Sequence, residues 1–277
     1  MKRPAPNHPA GNNLPLVALA GNPNAGKTSV FNALTGGHQT VGNWPGVTVA
    51  KKTGRFNHNG HAFEVVDLPG IYSLQAYTED EVVARDFILN GHPAVVVNVV
   101  DASHLQRNLY LTVQLLELGV RCVVALNMSD VKDRDFDADA GTLSLLLGTP
   151  VIPTVGTTGQ GIARLKEVVA QVAAKPAPAE GLRIHYGSEV EPHLAELTRR
   201  LACAQPDASR RARWTALDIL ETADDGPYSR DADLSDLVAK VRKHLRLVTG
   251  QDPVAVSYTH LRAHETPEHL VCRLLLE

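Results

Sequence analysis

The sequence has few cysteines, no long apolar run and no excess of charge of one sign. Its three cysteines among 277 residues, Cys122, Cys203 and Cys272, are an odd number without metal-ligand spacing. This excludes a disulfide scaffold and favours a reducing compartment, in which we expect ordinary buried thiols. The longest apolar runs, such as Ala94–Val97 and Val123–Leu126, fall far short of the ~18–20 residues of a membrane-spanning helix. The net charge of −3 gives no general attraction to nucleic acid or anionic lipid. We therefore expect a globular chain that does not itself cross a membrane.

Short β-rich runs alternate with amphipathic stretches over residues 14–174. The first run, Leu16–Ala20, precedes the predicted helix Lys27–Leu34, and Asn59-Gly60 is typical of a hairpin turn. This alternation predicts an α/β fold with a mostly parallel sheet, covered on both faces, and one antiparallel edge hairpin. The remaining predicted strands and helices are Val47–Phe56, Ala62–Asp67, Ala94–Val100, His104–Leu118, Arg121–Asn127, Pro150–Thr154 and Ile162–Ala173.

Beyond residue 174 the pattern changes to helices alone. Residues 175–181 are rich in proline and are predicted to be a short stiff linker. Three amphipathic segments come next, and they predict a small all-helical domain over residues 182–254: Glu191–Ala204, Arg210–Glu221 and Leu234–Val248. We expect residues 1–13 to be a flexible N-terminus. Residues 255–277 lack a clear periodicity, and we expect a non-native tail there, such as adapter read-through, with one more native helix as the alternative.

The segment Gly21–Thr28 (GNPNAGKT) has the G-x-x-x-x-G-K-[ST] pattern of a phosphate-binding loop. It lies between a predicted strand and a predicted helix, which is the context that this motif requires. The glycines allow successive backbone N–H groups to face phosphates, and the helix N-terminus adds a positive end. Lys27 would reach the β- and γ-phosphates, and the Thr28 hydroxyl would ligate magnesium.

Two further motifs lie at the ends of predicted strands. In Asp67–Gly70 (DLPG), the carboxylate can hold magnesium through water and the glycine N–H can meet the γ-phosphate. In Asn127–Asp130 (NMSD), the Asp130 carboxylate can accept two hydrogen bonds from guanine, a pair that adenine does not offer. Asn127 would brace the loops around the base. The three motifs in this order predict a GTPase of the translation-factor-like class with a phosphate-loop (P-loop) fold.

The segment Val41–Val49 (VGNWPGVTV) is more specific, because it resembles the first switch region of the FeoB family. Members of this family are bacterial ferrous iron transporters with a cytosolic N-terminal G domain. Residues 67–74 (DLPGIYSL), residues 101–130 and Arg213-Trp214 in the helical part are also similar to that family. The resemblance extends over residues 14–253 and is strongest over residues 21–130.

The resemblance implies a mechanism. Thr48 would be the switch threonine that closes on magnesium and the γ-phosphate. Asn24, with the backbone carbonyls of Gly42 and Trp44, would hold a potassium ion that supplies charge to the transition state. Ile71 stands where many small GTPases have a water-orienting glutamine, so intrinsic hydrolysis is expected to be slow.

Several residues of the predicted site have more than one predicted role. The predicted catalytic residues are Lys27, Thr48, Gly70 and Asn24, the magnesium ligands are Thr28, Thr48 and Asp67, and the potassium ligands are Asn24, Gly42 and Trp44. The base-capping loop has Gly156 where the family often has serine, and this difference is expected to alter nucleotide release. The predicted contacts to GTP or GDP are Gly21, Asn22, Pro23, Asn24, Ala25, Gly26, Lys27, Thr28, Ser29, Gly46, Val47, Thr48, Asp67, Gly70, Asn127, Met128, Asp130, Gly156 and Thr157.

The resemblance also implies partners and a location. A membrane transport domain of the same full-length protein, a small cytosolic accessory protein and a second copy of the chain are the implied partners. We expect the fragment to be cytoplasmic and the full-length protein to lie in the bacterial inner membrane with this region facing the cytosol.

Two other functions compete with this interpretation. One is an Era-like RNA- or ribosome-associated GTPase, and the other is a guanine-nucleotide sensor with incidental turnover. The first normally has a basic RNA-binding module, whereas the helical part is balanced in charge, so no nucleic-acid partner is expected. We interpret the basic cluster Arg210, Arg211 and Arg213 as a solvated helix face.

Overall fold

The computed structural model describes residues 14–75, 78–130, 139–176, 182–204, 211–221 and 232–249. The chain divides into two compact units, Met1–Leu116 with Val120–Ala177 and Glu117–Gly119 with Pro178–Glu277. The predicted N-terminal segment 1–13, the predicted tail 255–277 and most of the predicted linker lie outside the described residues. The exact bounds of the two predicted domains remain predictions.

The first unit is built on a seven-stranded sheet with the order β2-β3-β4-β1-β5-β6-β7. Strands β4, β1, β5, β6 and β7 are parallel neighbours, while β3 is antiparallel to both β2 and β4. The predicted fold class is thus confirmed, and the antiparallel edge contains one strand more than the sequence predicts. The strands are β1 (Leu16–Gly21), β2 (Gln39–Asn43), β3 (Ala50–His58), β4 (His61–Asp67), β5 (Val95–Asp101), β6 (Cys122–Asn127) and β7 (Val151–Pro153).

The parallel strands bring the motifs to one edge of the sheet. Their continuous apolar runs are typical of strands that are covered on both faces. The register pairs Leu19 with Asp67, and Asp101 with Asn127. The carboxyl ends of β1, β4, β5 and β6 therefore share an edge, which is where open α/β sheets bind ligands.

Helices of the first unit alternate with the strands. Helix α2 begins with a capping box, in which Thr78 accepts a hydrogen bond from the backbone N–H of Glu81 and the Glu81 carboxylate accepts one from the backbone N–H of Thr78. Val30 and Phe31 of α1 share a buried core with Leu165 and Val169 of α5 and with the sheet. The helices are α1 (Lys27–Thr35), α2 (Glu79–Asn90), α3 (Leu105–Glu117), which a 3-10 turn (Ala102–His104) precedes, α4 (Ala140–Leu147) and α5 (Ile162–Ala174).

From residue 182 on, the regular elements of the described part of the second unit are three helices: α6 (Glu191–Ala204), α7 (Ala212–Glu221) and α8 (Ala232–Thr249). Its core is formed by apolar residues at helical spacing, among them Leu194, Leu197, Leu217 and Val241. Among the described residues, no helix combines the length and the apolar character that a bilayer-spanning segment needs.

The structure corrects the interpretation of the basic cluster as a solvated face. The Arg213 guanidinium lies 2.9 Å from the Glu191 carboxylate, and the two side chains are only 17% and 22% exposed. Arg213 also donates a hydrogen bond of 2.6 Å to the carbonyl of Ile184. Burial lowers the pKa of the Arg211 guanidinium, and Arg210 lies outside the described residues. Arg213 is not solvated because it pairs with Glu191, which lies 22 residues away in the sequence. The local composition does not reveal such a distant partner.

Two smaller expectations were also wrong. The predicted strand at Val47 begins instead at Ala50, because a turn around Pro45-Gly46, closed by the Val47 N–H on the Trp44 carbonyl, occupies the preceding residues. Of the predicted buried thiols, Cys122 is buried but Cys203 is exposed, since it lies near the end of α6. Cys272 lies outside the described residues.

Candidate functional site

The loop between β1 and α1 has the backbone that a phosphate site needs. Gly26 precedes α1 with φ +80°, and no side chain caps this helix. Asn24 also has a left-handed backbone, with φ +67°. At Gly21, a Cβ would lie 2.5 Å from the Val99 carbonyl oxygen, so the close approach of β1 to β5 requires glycine there. The first amides of α1 are therefore free of side-chain caps at a positive helix end, where anions bind.

Lys27, Thr28 and Asp67 meet beside this loop. The Lys27 Nζ lies 2.5 Å from Asp67 Oδ1, and the two side chains are 12% and 5% exposed. The Thr28 hydroxyl is 3.5 Å from Asp67 Oδ2. An ammonium group, a hydroxyl and a carboxylate thus converge where β4 ends and α1 begins. The hydroxyl and carboxylate oxygens are of the kind that magnesium prefers as ligands.

Asn127 joins the phosphate loop to the base-capping loop. Its Nδ2 donates a hydrogen bond of 2.9 Å to the Ala25 carbonyl, and its Oδ1 accepts one of 2.9 Å from the Gly156 N–H. The side chain is buried at the end of β6. At Gly26, a Cβ would lie 2.1 Å from Asn127 Nδ2. One amide therefore holds two segments that lie far apart in the sequence.

The other predicted base-binding residues surround this amide. Met128 has a left-handed backbone with φ +58°, and the Ser129 N–H donates to the Thr154 carbonyl. Asp130 and Thr157 are exposed. The Asp130 carboxylate, three residues after Asn127, is therefore accessible to a ligand from solution.

The loop after β4 packs directly on the phosphate loop. At Gly70, a Cβ would lie 3.1 Å from the backbone of Pro23. The Ile71 N–H donates a hydrogen bond of 3.1 Å to the Gly21 carbonyl, and the Ile71 side chain is fully buried. The residue after Gly70 therefore faces the core, and its side chain has no access to a phosphate or to an attacking water.

The predicted switch segment lies on the antiparallel edge of the sheet, and its residues bond to one another and to β3. Gly42 lies on β2, paired with Lys51 of β3, and the Trp44 carbonyl accepts a hydrogen bond of 3.3 Å from the Val47 N–H. Gly46 and Thr48 are exposed. Within the described residues, the side chain of Thr48 makes no hydrogen bond to Lys27 or Asp67. The structure therefore does not bring the switch residues together with the other predicted magnesium ligands.

Sequence reasoning missed three contacts that Gln114 and Arg107 of α3 make with the loops. Gln114 accepts a buried hydrogen bond of 2.7 Å from the Leu74 N–H. The carbonyl of Arg107 accepts one of 3.4 Å from Asn22 Nδ2, and its guanidinium lies 5.5 Å from the centre of the Tyr72 ring. The available signal was Gln114 itself, a polar residue on the leucine-rich face of a predicted helix.

Asp101 lies at the end of β5, at the sheet edge that carries the motifs, but among the described residues its carboxylate bonds only to those nearby in the sequence. Its carboxylate accepts hydrogen bonds from the Ser103 N–H at 2.9 Å and from the Ser103 hydroxyl at 2.6 Å, and it lies 3.0 Å from His104 Nδ1. Burial raises the pKa of Asp101, but these bonds outweigh burial and hold it below its usual value of 3.8. Asp101 is therefore a helix cap and not a further ligand of the site.

Comparison with known proteins identifies a family. The profile of the family described as "Ferrous iron transport protein B" matches residues 16–169. The Fe(2+) transporter FeoB of Escherichia coli is 44% identical over 211 residues, which are 74% of this chain and 26% of that protein. The Fe(2+) transport protein A/Fe(2+) transporter FeoB fusion protein of Porphyromonas gingivalis is 40% identical over 241 residues, 85% of this chain and 28% of that protein. The chain thus spans about a quarter of the length of these relatives.

Solved structures agree in fold. A mutant of NFeoB from S. thermophilus, bound to mGDP, superposes with a TM-score of 0.82 at 33% identity and covers 94% of this chain and 99% of that chain. The cytosolic domain of L. pneumophila FeoB has a TM-score of 0.73 at 36% identity, and the match covers 86% of this chain and 94% of that chain.

Proposed function

The chain belongs to the ferrous iron transport protein B (FeoB) family, and on that premise we propose that it binds GTP and GDP and slowly hydrolyses GTP. In this proposal it acts as the cytosolic regulatory region of a membrane transporter for ferrous iron. The observation that carries the proposal is the Asn127 bridge between the phosphate loop and the base-capping loop. Such a bridge is useful to a site that must hold phosphates and a base at the same time.

Each end of the nucleotide has its own recognition group. The Lys27 ammonium and the uncapped amides of α1 bind the phosphates, since both present positive charge at the edge of the sheet. Asp130 accepts the two guanine N–H groups. An adenine base would leave this carboxylate without those partners, which is costly once the base excludes water.

The oxygen donors of the predicted ligands are of the types that suit the two metal ions implied by the family resemblance. Thr28 and Asp67 offer the oxygen ligands of a magnesium site, and Thr48 would join them. Asn24, Gly42 and Trp44 offer neutral oxygens suited to potassium. Held by these residues, the two cations would supply positive charge to the negatively charged phosphate oxygens.

Hydrolysis is expected to be slow because the residue after the DLPG motif is an isoleucine. Water attacks the γ-phosphorus, the bond to the β–γ bridging oxygen breaks, and GDP and phosphate are released. Ile71 is buried and cannot orient that water. The Gly70 N–H and the Lys27 ammonium remain to bind the γ-phosphate, so the protein supplies charge stabilisation without a side chain that positions water.

We further propose that α3 relays the nucleotide state towards the helical part. Within the first unit, Gln114 holds the loop after the DLPG motif through the Leu74 N–H. The last residue of α3, Glu117, belongs to the second unit. There the Tyr186 hydroxyl donates to the Glu117 carboxylate, at 2.9 Å from each of its oxygens. A displacement of the loop at Leu74 would thus act on the helix whose end is tied to Tyr186.

Base selectivity tests the proposal. We expect the protein to bind GDP and GTP but not ATP in calorimetric titrations, and Asp130→Asn to shift its preference towards xanthine nucleotides. Asp139→Asn is the matched control, because Asp139 is an exposed aspartate that caps α4 and asparagine caps a helix equally well. Equal affinity for ATP, or the same shift in the control, would contradict the assignment.

A further inference from the structure

Trp44 is the only buried residue between Gly36 and Ala50, a stretch that the structure describes in full. Its side chain is 6% exposed, whereas every residue of β2 is exposed. Thr48, the predicted switch threonine, is exposed as well. Apart from the pairing of β2 with β3, the segment is therefore held to the unit by one buried side chain.

The indole is seated against α2. Its ring meets the ring of Phe87 edge to face, with 5.1 Å between centroids and 70° between planes. Phe87 is 5% exposed, and Gly91 backs it so closely that a Cβ there would lie 3.1 Å and 3.2 Å from two ring carbons. Aromatic pairs of this geometry stabilise beyond the apolar area that they bury.

A cation lies over the indole as well. The Lys51 ammonium lies 5.0 Å from its centroid, a distance typical of a cation–π interaction. Its Nε1 is buried without a hydrogen-bond acceptor among the described residues, although a buried indole N–H usually has one. The contact with Phe87 is therefore easier to break than that of a hydrogen-bonded tryptophan.

We propose that Trp44 is a positioning residue, whose indole on Phe87 fastens the switch segment to α2. Helix α2 comes after the DLPG loop in the chain, so the contact makes the two predicted phosphate-sensing segments move together. The effect reaches the site through the backbone, because the Trp44 carbonyl is bound in the turn to Val47 and Thr48 is the next residue. The kinetic consequence rests on the proposed hydrolysis of GTP, whereas the contact itself does not.

Fluorescence tests the contact without nucleotide. The chain has two tryptophans, so Trp214→Phe leaves Trp44 as the only emitter. In that background, Phe87→Ala should shift the emission to the red and increase quenching by acrylamide. The control is Phe56→Ala, since Phe56 is also a buried phenylalanine, 4% exposed and stacked on Phe63 at 5.0 Å. Unchanged emission and quenching in Phe87→Ala would overturn the proposal.

Kinetics test the positioning role. We expect Phe87→Ala to lower kcat for GTP by about 10- to 100-fold, the usual cost of a misplaced group, with the KM for GTP and the Kd for GDP unchanged. Phe87→Leu, which keeps most of the volume, should recover part of the loss and provides a folded variant if alanine is not tolerated. An equal fall of kcat in Phe56→Ala, or a rise of kcat in Phe87→Ala, would overturn the role. Absence of turnover in the unmodified protein would instead refute the proposed hydrolysis and leave the fluorescence result to decide the contact.

Discussion

The side-chain amide of Asn127 donates a 2.9 Å hydrogen bond to the Ala25 carbonyl, across 102 residues of sequence. The same amide accepts a hydrogen bond from the Gly156 N–H. Because the side chain is buried, its loss leaves two backbone groups unsatisfied, at about 1–3 kcal/mol each. The site thus depends on Asn127, whose side chain joins the phosphate loop to the base-capping loop.

Asn127→Ala is therefore expected to weaken GDP binding by tenfold or more, since about 1.4 kcal/mol corresponds to a factor of ten. Calorimetric titration with GDP measures the effect. Asn98→Ala is the matched control, because Asn98 is equally buried on the neighbouring strand but donates its hydrogen bond to Thr112. It should lower the melting temperature and leave the affinity for GDP intact. A similar loss of affinity in both variants would show that general destabilisation, and not the bridge, is responsible.

The sequence predicts the strands and helices next to the motifs within a few residues, because their apolar periodicity is strong. Helix α6 agrees at both ends with its prediction, Glu191–Ala204. The sequence does not predict β2, α2 or α4. Strand β2 is exposed on both faces and so lacks the alternation that signals a half-buried strand. Helix α2 begins with three acidic residues and α4 has only 8 residues, so neither shows a long apolar face.

Side-chain contacts between distant segments are the part of the site that the sequence does not reveal. The pairing of Trp44 with Phe87 joins residues without any shared motif. The same holds for Gln114 and Leu74, which form their hydrogen bond only when α3 packs beside the DLPG loop. Motifs identify the groups that meet the ligand because their chemistry is local, whereas the groups that hold them depend on packing.

Gly156→Ala is expected to accelerate GDP release. A Cβ at this position would lie 2.9 Å from the Val30 N and 3.0 Å from the Ser29 Cβ, so the loop has to move away from α1 and loosen its bond to Asn127. Overpacking of this kind costs about 1–3 kcal/mol, and we expect the dissociation rate of a fluorescent GDP analogue to rise about tenfold. Gln160→Ala in the same loop, at an exposed position, should leave the rate unchanged. A rate unaffected by Gly156→Ala would show that the loop has room for a side chain.

Asn24→Gly is expected to abolish a preference of GTP hydrolysis for potassium over sodium. Asn24 has φ +67°, a conformation that glycine adopts readily, so the variant removes the side chain without straining the loop. The measurement is the ratio of hydrolysis rates in potassium and sodium chloride, with GDP affinity as the control for loop integrity. If the ratio is the same in both proteins, Asn24 has no part in a cation site.

Glu191 is expected to stabilise the second unit in a pH-dependent way. Burial raises the pKa of its carboxyl, but hydrogen bonds from Arg213 and from the Tyr186 N–H outweigh burial and hold the pKa below 4.5. A carboxyl whose pKa is lowered by folding stabilises the folded state above its unfolded pKa, and this contribution is lost as the pH falls through the folded value. The difference in unfolding free energy between the unmodified protein and Glu191→Gln should therefore be constant above about pH 5 and vanish in more acidic solution.

Glu196→Gln is the instructive control for that experiment. Hydrogen bonds from Arg199 and Arg200 lower the pKa of Glu196 to about 2, which is a large shift. The Glu196 side chain is, however, more exposed than that of Glu191, 36% against 22%, so solvent screens its ion pairs more strongly. We expect Glu191→Gln to cost about 1.5–3 kcal/mol at neutral pH, the range for hydrogen bonds to charged groups, and Glu196→Gln to cost less. Urea unfolding of the whole chain followed by circular dichroism distinguishes them. A larger loss in Glu196→Gln would contradict the role assigned to burial.

The proposed relay along α3 predicts that Trp214 senses the nucleotide. Trp214 lies on α7 of the second unit, and in a Trp44→Phe background it is the only emitter. Exchange of GDP for a non-hydrolysable GTP analogue should then change its emission. Tyr186→Phe should remove most of that change, because it deletes the hydroxyl that contacts Glu117 but keeps the ring against Arg213.

Gln114→Ala separates the two ends of the relay. It removes the acceptor of the Leu74 N–H without touching the second unit, so the Trp214 response should fall as it does in Tyr186→Phe. Nucleotide affinity should change little in either variant, because neither residue lies at the phosphate loop or at Asn127. Gln171→Ala, which removes only a surface hydrogen bond to Glu167 on α5, should leave the response intact. A full response in both Gln114→Ala and Tyr186→Phe would mean that the nucleotide state reaches the helices by a route other than α3.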